Sequence, residues 1–124
     1  MEFQKENTFI KGRLKSVTYA CKGMFKLIRT EHSIMVQISL GILMTVLGFY
    51  LKISQTEWLF QTLAIGLVLS IEGLNTAIEK VADFIHPDYH KKIGFIKDIA
   101  AGAVFFAALT AISIGLIIYI PKFI

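Results

Sequence analysis

Three long stretches of the chain contain no Asp, Glu, Lys, Arg or His. They cover residues 33–51, 58–71 and 99–120 of the 124-residue sequence. A helix that rises ~1.5 Å per residue needs about 20 apolar residues to cross a hydrocarbon core ~30 Å thick. The first and third stretches reach this length. The second reaches it only if its helix continues through Glu72 and Glu79, so it would bring carboxylates into or near a membrane.

Backbone polar groups inside a bilayer have no water to bind, so segments of this kind must be helices rather than open strands. A hydrophobic content of 55% in a chain of this size also favours a membrane protein. The sequence predicts an all-α integral membrane protein with a single domain, 1–124. It would have an N-terminal amphipathic surface helix and three transmembrane helices, at about 8–29, 33–52, 57–85 and 95–120.

The surface helix is predicted from apolar residues that recur every three or four positions between Ile10 and Ile28, with Lys and Arg on other faces. Such a helix is typical of a membrane surface. The alternative is a soluble helix packed on the membrane domain. The lone cysteine, Cys21, cannot form an intrachain disulfide and is expected to be a small buried apolar residue.

Positive charge is distributed unequally between the segments that connect the apolar stretches. Seven of the 13 Lys and Arg precede the first stretch and four lie between Lys80 and Lys97, whereas only Lys52 and Lys122 fall on the other side. By the positive-inside rule, the N-terminus is cytoplasmic, and we expect a multi-pass protein of the inner (cytoplasmic) membrane. The net charge of +4 therefore requires no nucleic acid partner.

Five polar residues fall on one face of the second predicted span. At about 100° per residue, Glu72, Asn75, Thr76, Glu79 and Asp83 lie within about 100° of arc. Burying a carboxylate costs several kcal/mol unless it is paired, protonated or bound to a cation. A structural interpretation would pair these acids with Lys97 or Arg29. A functional interpretation is that they form a site for chemistry at the membrane.

The functional interpretation gives the acids different roles at different depths. Glu72 would lie about 21 Å inward from Trp58, where a lipid hydroxyl can reach, and Glu79 about 31 Å inward, near the headgroups. Glu31 begins the first span at the same cytoplasmic level, so Glu31 and Glu79 could hold Mg²⁺ together with phosphate oxygens. Lys97 and Asp98 offer a cation for phosphates and an acceptor for a nucleoside. The sequence contains no P-loop and no GxGxxG motif.

Two motifs carry a resemblance to a known family. Glu72-x-x-Asn75-Thr76-Ala77-Ile78-Glu79 is followed, after a polar loop, by Lys97-Asp98-x-Ala100-Ala101-Gly102-Ala103-Val104. This pair resembles the prokaryotic diacylglycerol kinase family, which includes the undecaprenol kinases. The resemblance implies an ATP-dependent lipid kinase that moves the γ-phosphate to the hydroxyl of diacylglycerol or undecaprenol, with Mg²⁺ as cofactor. It also implies a homotrimer with active sites shared between subunits.

The resemblance also assigns roles to individual residues. It implies Glu72 as general base, Asn75 as its neighbour in the lipid site, and Glu31 and Glu79 as ligands of the metal and ATP. Further nucleotide contacts are implied at six positions: Tyr19, Asp88, Tyr89, His90, Lys97 and Asp98. The chain departs from the family pattern at Gly12, where many relatives carry a basic residue and where Arg13 is adjacent, and at Gln37, where members often carry Glu or His.

Two other functions fit part of the sequence. A small oligomeric cation-coupled transporter would use Glu72 to exchange protons, but it gives no use for Glu31, Glu79 and Lys97 at one level. A purely structural membrane subunit leaves all of the acids unexplained. The lipid kinase accounts for each of these residues.

Overall fold

Four helices make up most of the chain. The computed structural model describes residues 5–124, in which α1 (Lys5–Thr30), α2 (His32–Leu51), α3 (Gln55–Ile85) and α4 (Lys91–Phe123) follow one another. The predicted all-α fold class is confirmed, and α2, α3 and α4 are each long and apolar enough to cross a membrane. The chain forms two compact units, one ending at His32 and the other comprising Ser33–Ile124.

The first unit is essentially the amphipathic helix α1. Large apolar side chains, among them Leu14, Val17 and Met24, are exposed along it. The hydroxyls of Ser16 and Thr18 donate to carbonyls one turn earlier, so they are satisfied within the helix. Cys21 is exposed, and its predicted burial is therefore wrong. It lies on the apolar face, which a surface helix turns toward lipid rather than toward a protein core.

A three-residue connection joins α2 to α3. Ser54 caps α3 by accepting a hydrogen bond from the Glu57 backbone N–H at 3.1 Å, and the Glu57 carboxylate accepts one from the Ser54 N–H at 2.9 Å. This reciprocal capping box starts the helix at Gln55, two residues before the predicted position. Lys52, in the left-handed region with a φ of 54°, completes the tight turn.

The second unit has a fixed register between α3 and α4, which form its most extensive helix pair. Lys122 pairs with Glu57 at 3.1 Å at one end, and Lys97 pairs with Asp83 at 2.6 Å at the other. Between them, the Tyr119 hydroxyl donates to the Gln61 side chain at 2.6 Å. These contacts hold the two helices antiparallel over most of their length.

The hydrogen-bonded side chains of Gln61 and Tyr119 also contact α2. The Gln61 amide donates to the Met44 carbonyl at 3.0 Å, and the Tyr119 hydroxyl lies 3.3 Å from the same oxygen. Gln61 and Tyr119 are both buried, so their polar atoms are satisfied by each other and by backbone, as buried polar groups must be. All three long helices therefore meet at this point.

Close approach of α2 to α3 depends on glycine. A Cβ at Gly48 would lie 2.8 Å from the Trp58 ring and 3.1 Å from the Ile53 side chain, and one at Gly41 would lie 3.3 Å from Ile65. Both glycines are buried. The ring of Trp58 therefore occupies space that only glycine leaves open.

Gly48→Ala is expected to destabilise the protein by about 1–3 kcal/mol, because the added methyl group overpacks the contact with the Trp58 ring. Gly66→Ala is the matched control, since a Cβ there meets nothing within 4 Å and the change favours a helix by roughly 0.5–1 kcal/mol. Unfolding in detergent micelles measures both variants. Equal stability of the two variants would contradict the packing described at Gly48.

The loop between α3 and α4 is shorter than the sequence indicates. It covers residues 86–90, and α4 begins at Lys91 rather than at about residue 95. The reason is His90, whose ring nitrogen Nδ1 accepts a hydrogen bond from the Lys92 backbone N–H at 3.0 Å and so caps the helix. Gly94 therefore lies in the first turn of α4.

Candidate functional site

A buried polar segment interrupts the apolar face of α3. Glu72, Asn75 and Thr76 are 7%, 9% and 7% exposed, respectively, and they continue the line of buried residues that begins at Gln61 and passes through Val68. Because these positions are three or four residues apart, they form one continuous face of the helix. The predicted stripe of polar residues is therefore buried at the position of Glu72.

Asn75 connects the buried part of this face to Glu79. Its side-chain N–H₂ donates to the Glu79 carboxylate at 3.5 Å, at the long limit of a hydrogen bond. Its carbonyl oxygen is buried and has no hydrogen-bond partner among the described residues. Such atoms are rare in native proteins, and each needs an explanation such as a ligand or ion. This oxygen is therefore a candidate contact for a substrate.

Exposure rises along the stripe toward the end of α3. Glu72 is buried, Glu79 is half-buried and Asp83 is exposed. The Lys97 ammonium contacts the Asp83 carboxylate at 2.6 Å, with the two side chains 37% and 57% exposed. This face of α3 thus offers one carboxylate that is buried from water, Glu72, and one that hydrated groups can reach, Glu79. The Asp83 contact with Lys97 is one of the pairs that the structural interpretation of the sequence named, and it involves the most exposed acid of the stripe.

The loop after α3 contains three of the expected nucleotide contacts. Asp88, Tyr89 and His90 are all exposed. The His86 ring nitrogen Nδ1 is 2.8 Å from the Asp88 carbonyl oxygen, and this contact holds the loop in a turn. The rings of His86 and His90 meet edge to face, with 5.2 Å between their centroids. The Nδ1 atom of His90 accepts the hydrogen bond that caps α4, so only its Nε2 atom is available to a ligand.

The N-terminus of α4 is suited to anions. Lys91 and Lys92 lie in its first turn and Lys97 lies two turns along, while Asp98 next to it is exposed. The positive end of a helix dipole favours phosphate, and nearby ammonium groups add to this effect. Lys97 and Asp83 together bring this end of α4 to the exposed end of the α3 stripe.

Two predicted site residues, Tyr19 and Glu31, belong to the first unit. The Lys22 ammonium lies 5.7 Å from the centre of the Tyr19 ring, a cation–π distance. Glu31 is the residue between α1 and α2, and its carboxylate accepts a hydrogen bond from the Thr30 hydroxyl at 3.5 Å. Joint action of Glu31 and Glu79 on a metal stays a prediction.

The oxygen donors of this region have the chemistry that Mg²⁺ requires. Among residues 5–124, no three His, Cys, Asp or Glu side chains are grouped closely enough to hold a metal alone. Mg²⁺ typically binds one or two carboxylates and completes its shell with water and phosphate oxygens. The half-buried Glu79 carboxylate beside the Asn75 amide fits that requirement.

Comparison with known proteins supports one family. A family model described as prokaryotic diacylglycerol kinase matches residues 18–119, which includes α3, the loop and most of α4. The chain belongs to the prokaryotic diacylglycerol kinase family. The undecaprenol kinase of Bacillus subtilis is 37% identical over 108 residues, covering 87% of this chain and 88% of that protein.

Other members of this kinase family are more distant. The diacylglycerol kinase of Synechocystis is 30% identical, covering 87% of this chain and 62% of that protein. The diacylglycerol kinase of Escherichia coli K12 is 28% identical, covering 80% of this chain and 81% of that protein. As a member of this kinase family, the chain is a membrane phosphotransferase that acts on a lipid.

Proposed function

We propose that the protein transfers the γ-phosphate of ATP to the hydroxyl of a membrane lipid alcohol, with a polyprenol such as undecaprenol as the preferred acceptor. The buried segment of Glu72, Asn75 and Thr76 within an apolar helix carries this proposal. A carboxylate and an unsatisfied amide oxygen at that depth can contact a hydroxyl group that arrives from the lipid phase. A purely structural helix gains nothing from the unsatisfied Asn75 amide oxygen, since burying a polar atom without a hydrogen-bond partner costs stability.

Glu72 is proposed as the general base. Its carboxylate takes the proton of the lipid hydroxyl while the hydroxyl oxygen attacks the γ-phosphorus of ATP. The bond between that phosphorus and the oxygen bridging to the β-phosphate breaks, and ADP leaves with the electron pair. The Asn75 carbonyl oxygen can accept the hydrogen bond of the hydroxyl as the acceptor enters the site, before the hydroxyl turns its one proton to Glu72. General base catalysis of this kind contributes about 10²–10⁴ in rate.

The nucleotide is proposed to bind at the cytoplasmic end of α3 and α4. Glu79, together with Glu31, would hold Mg²⁺, which neutralises charge on the β- and γ-phosphates. Lys97 and the α4 N-terminus would contact the same phosphates. The remaining nucleotide contacts are proposed at Tyr19, Asp88, Tyr89, His90 and Asp98. The trimer with shared sites and the cytoplasmic N-terminus are part of this proposal.

The polyprenol is preferred over diacylglycerol because of the pattern of similarity. The undecaprenol kinase shares 37% identity over 88% of its length, whereas the diacylglycerol kinases share 28–30%. The motif Asn75-Thr76-Ala77-Ile78-Glu79 with Ala100-Ala101-Gly102-Ala103-Val104 also favours this branch. Diacylglycerol is the second candidate, because the matching family model carries its name.

Phosphate transfer from labelled ATP to each lipid in mixed micelles tests this choice. We expect kcat/KM for undecaprenol to exceed that for diacylglycerol by about tenfold or more, equivalent to roughly 1.4 kcal/mol of transition-state discrimination. Micelles without acceptor give the background of ATP hydrolysis. Faster transfer to diacylglycerol would make it the acceptor instead, and transfer to neither lipid would reject the proposed function.

A further inference from the structure

The amphipathic helix α1 carries most of its positive charge in one narrow stripe. At about 100° per residue, five of its Lys and Arg side chains fall within about 60° of arc around the helix axis. All five are exposed. This basic stripe consists of Lys11, Lys15, Lys22, Lys26 and Arg29. By helix rise it is about 27 Å long from Lys11 to Arg29.

The basic stripe is not neutralised within its own helix. The sequence contains no Asp or Glu between Thr8 and Thr30, so no acidic side chain can alternate with these cations. Like charges three or four positions apart, such as Lys22 and Lys26, lie side by side on a helix, and their repulsion destabilises it. An anionic partner outside the helix removes this repulsion, so the stripe is complementary in charge to a row of anions.

The apolar face of α1 borders the basic stripe along its length. Five large side chains on this face are each between 57% and 65% exposed and lie within about 100° of arc: Ile10, Leu14, Val17, Met24 and Phe25. The stripe begins about 40° beyond Phe25. On the other border of the apolar face, the only cation between Thr8 and Thr30 is Arg13. The helix therefore presents an apolar surface and a basic surface next to each other.

This combination of surfaces fits an anionic lipid leaflet. A leaflet offers hydrocarbon to the apolar face and phosphate to the basic stripe at the same time. The phosphates of a nucleic acid would neutralise the cations but leave the row of apolar side chains in water. A single nucleotide triphosphate is shorter than the stripe, whereas lipid headgroups continue along all of it. Lipid is also always close, because α1 ends one residue before α2, which is long and apolar enough to cross a membrane.

We propose that the basic stripe of α1 binds the phosphate groups of anionic lipids, so that these lipids are enriched around this helix. The inference goes beyond the proposed function, in which the acceptor is an uncharged lipid alcohol and α1 supplies only the nucleotide contact at Tyr19. A single Lys or Arg near an anionic lipid surface gains an attraction equivalent to about fivefold in affinity. Neighbouring cations such as Lys22 and Lys26 can contact one headgroup together, which strengthens the preference.

Cys21 provides a position for a probe at this surface, because it is the only cysteine, is exposed and lies on the apolar face of α1. A bimane fluorophore attached to Cys21 is quenched on contact by a lipid that carries a nitroxide on its acyl chain near the headgroup. The full chain is reconstituted in phosphatidylcholine bilayers with a small fraction of nitroxide-labelled phosphatidylglycerol or nitroxide-labelled phosphatidylcholine. We expect the association constant obtained from quenching to be about fivefold or more higher for phosphatidylglycerol.

Lys22→Gln/Lys26→Gln tests the basic stripe itself, because glutamine forms helices nearly as well as lysine but carries no charge. This double variant should lower the preference for phosphatidylglycerol to about twofold or less. Arg13→Gln is the control, since Arg13 lies on the same helix but outside the stripe, and it should retain the wild-type preference.

The comparison of the two lipids in the wild-type chain needs no variant and can overturn the proposal alone. Equal quenching by the two lipids, or quenching by neither, would do so. Loss of the preference on addition of Mg-ATP would assign the stripe to nucleotide phosphates instead. An equal fall in Arg13→Gln and the double variant would leave net charge, not the stripe, as the cause. Phosphate transfer is not measured, so the proposed kinase function can fail while lipid binding stands, and the reverse.

Discussion

Glu72→Gln is expected to lower turnover by a factor of about 10²–10⁴ and to leave Mg-ATP binding unchanged. The glutamine amide has nearly the same shape as the carboxylate, but it cannot take the proton of the acceptor hydroxyl. Glu72 is 7% exposed, so bulk water cannot easily replace it as the base. Steady-state transfer from labelled ATP measures turnover, and equilibrium binding of Mg-ATP measures the nucleotide site.

The matched control for this change is Glu57→Gln, on the same helix. Glu57 lies at the opposite end of α3, where it takes part in the capping box and pairs with Lys122 at 3.1 Å. Glutamine also serves in a capping box, and an exposed ion pair is worth about 0–1 kcal/mol, so the variant should fold and retain wild-type turnover. Turnover by Glu72→Gln within a few-fold of the Glu57→Gln control would remove Glu72 from its assigned role.

Glu79→Gln is expected to weaken Mg-ATP binding by about tenfold to hundredfold, the range that loss of a group supporting a bound metal typically causes. The substitution removes the negative charge that draws Mg²⁺ while preserving an oxygen near Asn75, which contacts Glu79 at 3.5 Å. Glu79→Asp keeps the charge but shortens the side chain by one methylene group, so the affinity of this variant for Mg-ATP should be intermediate. Titration of Mg-ATP at several Mg²⁺ concentrations measures the effect. Equal affinity in Glu79→Gln and wild type would place the metal elsewhere.

Hydropathy and helical periodicity account for most of the fold that could be predicted. Both signals are averages over many residues, so one atypical residue does not change the helices that they predict. The helix ends depended on individual side chains instead. The Ser54-x-x-Glu57 capping box was readable in the sequence and would have corrected the start of α3. His90 is not among the usual capping residues, so the early start of α4 gave no comparable signal.

The candidate site was predictable along one helix and much less so between helices. The 100° periodicity placed Glu72, Asn75 and Glu79 on one face, and the structure buries the first two. The hydrogen bond between Gln61 and Tyr119 joins residues 58 positions apart, and nothing in their local sequence indicates that they meet. The meeting of α2, α3 and α4 at this point likewise depends on the register of three helices, which hydropathy leaves undetermined. The lack of a hydrogen-bond partner for the buried Asn75 carbonyl oxygen is likewise a property of packing alone.

The central claim is a division of labour along α3, with proton removal at the buried Glu72 and nucleotide binding at the half-buried Glu79. Single-turnover transfer to undecaprenol at saturating Mg-ATP tests this division most directly, because saturation compensates for weak binding but not for a missing base. We predict that Glu79→Gln regains a large part of the wild-type rate under these conditions and that Glu72→Gln remains slower by about 10²-fold or more. A Glu72→Gln rate equal to that of the wild type would contradict the account.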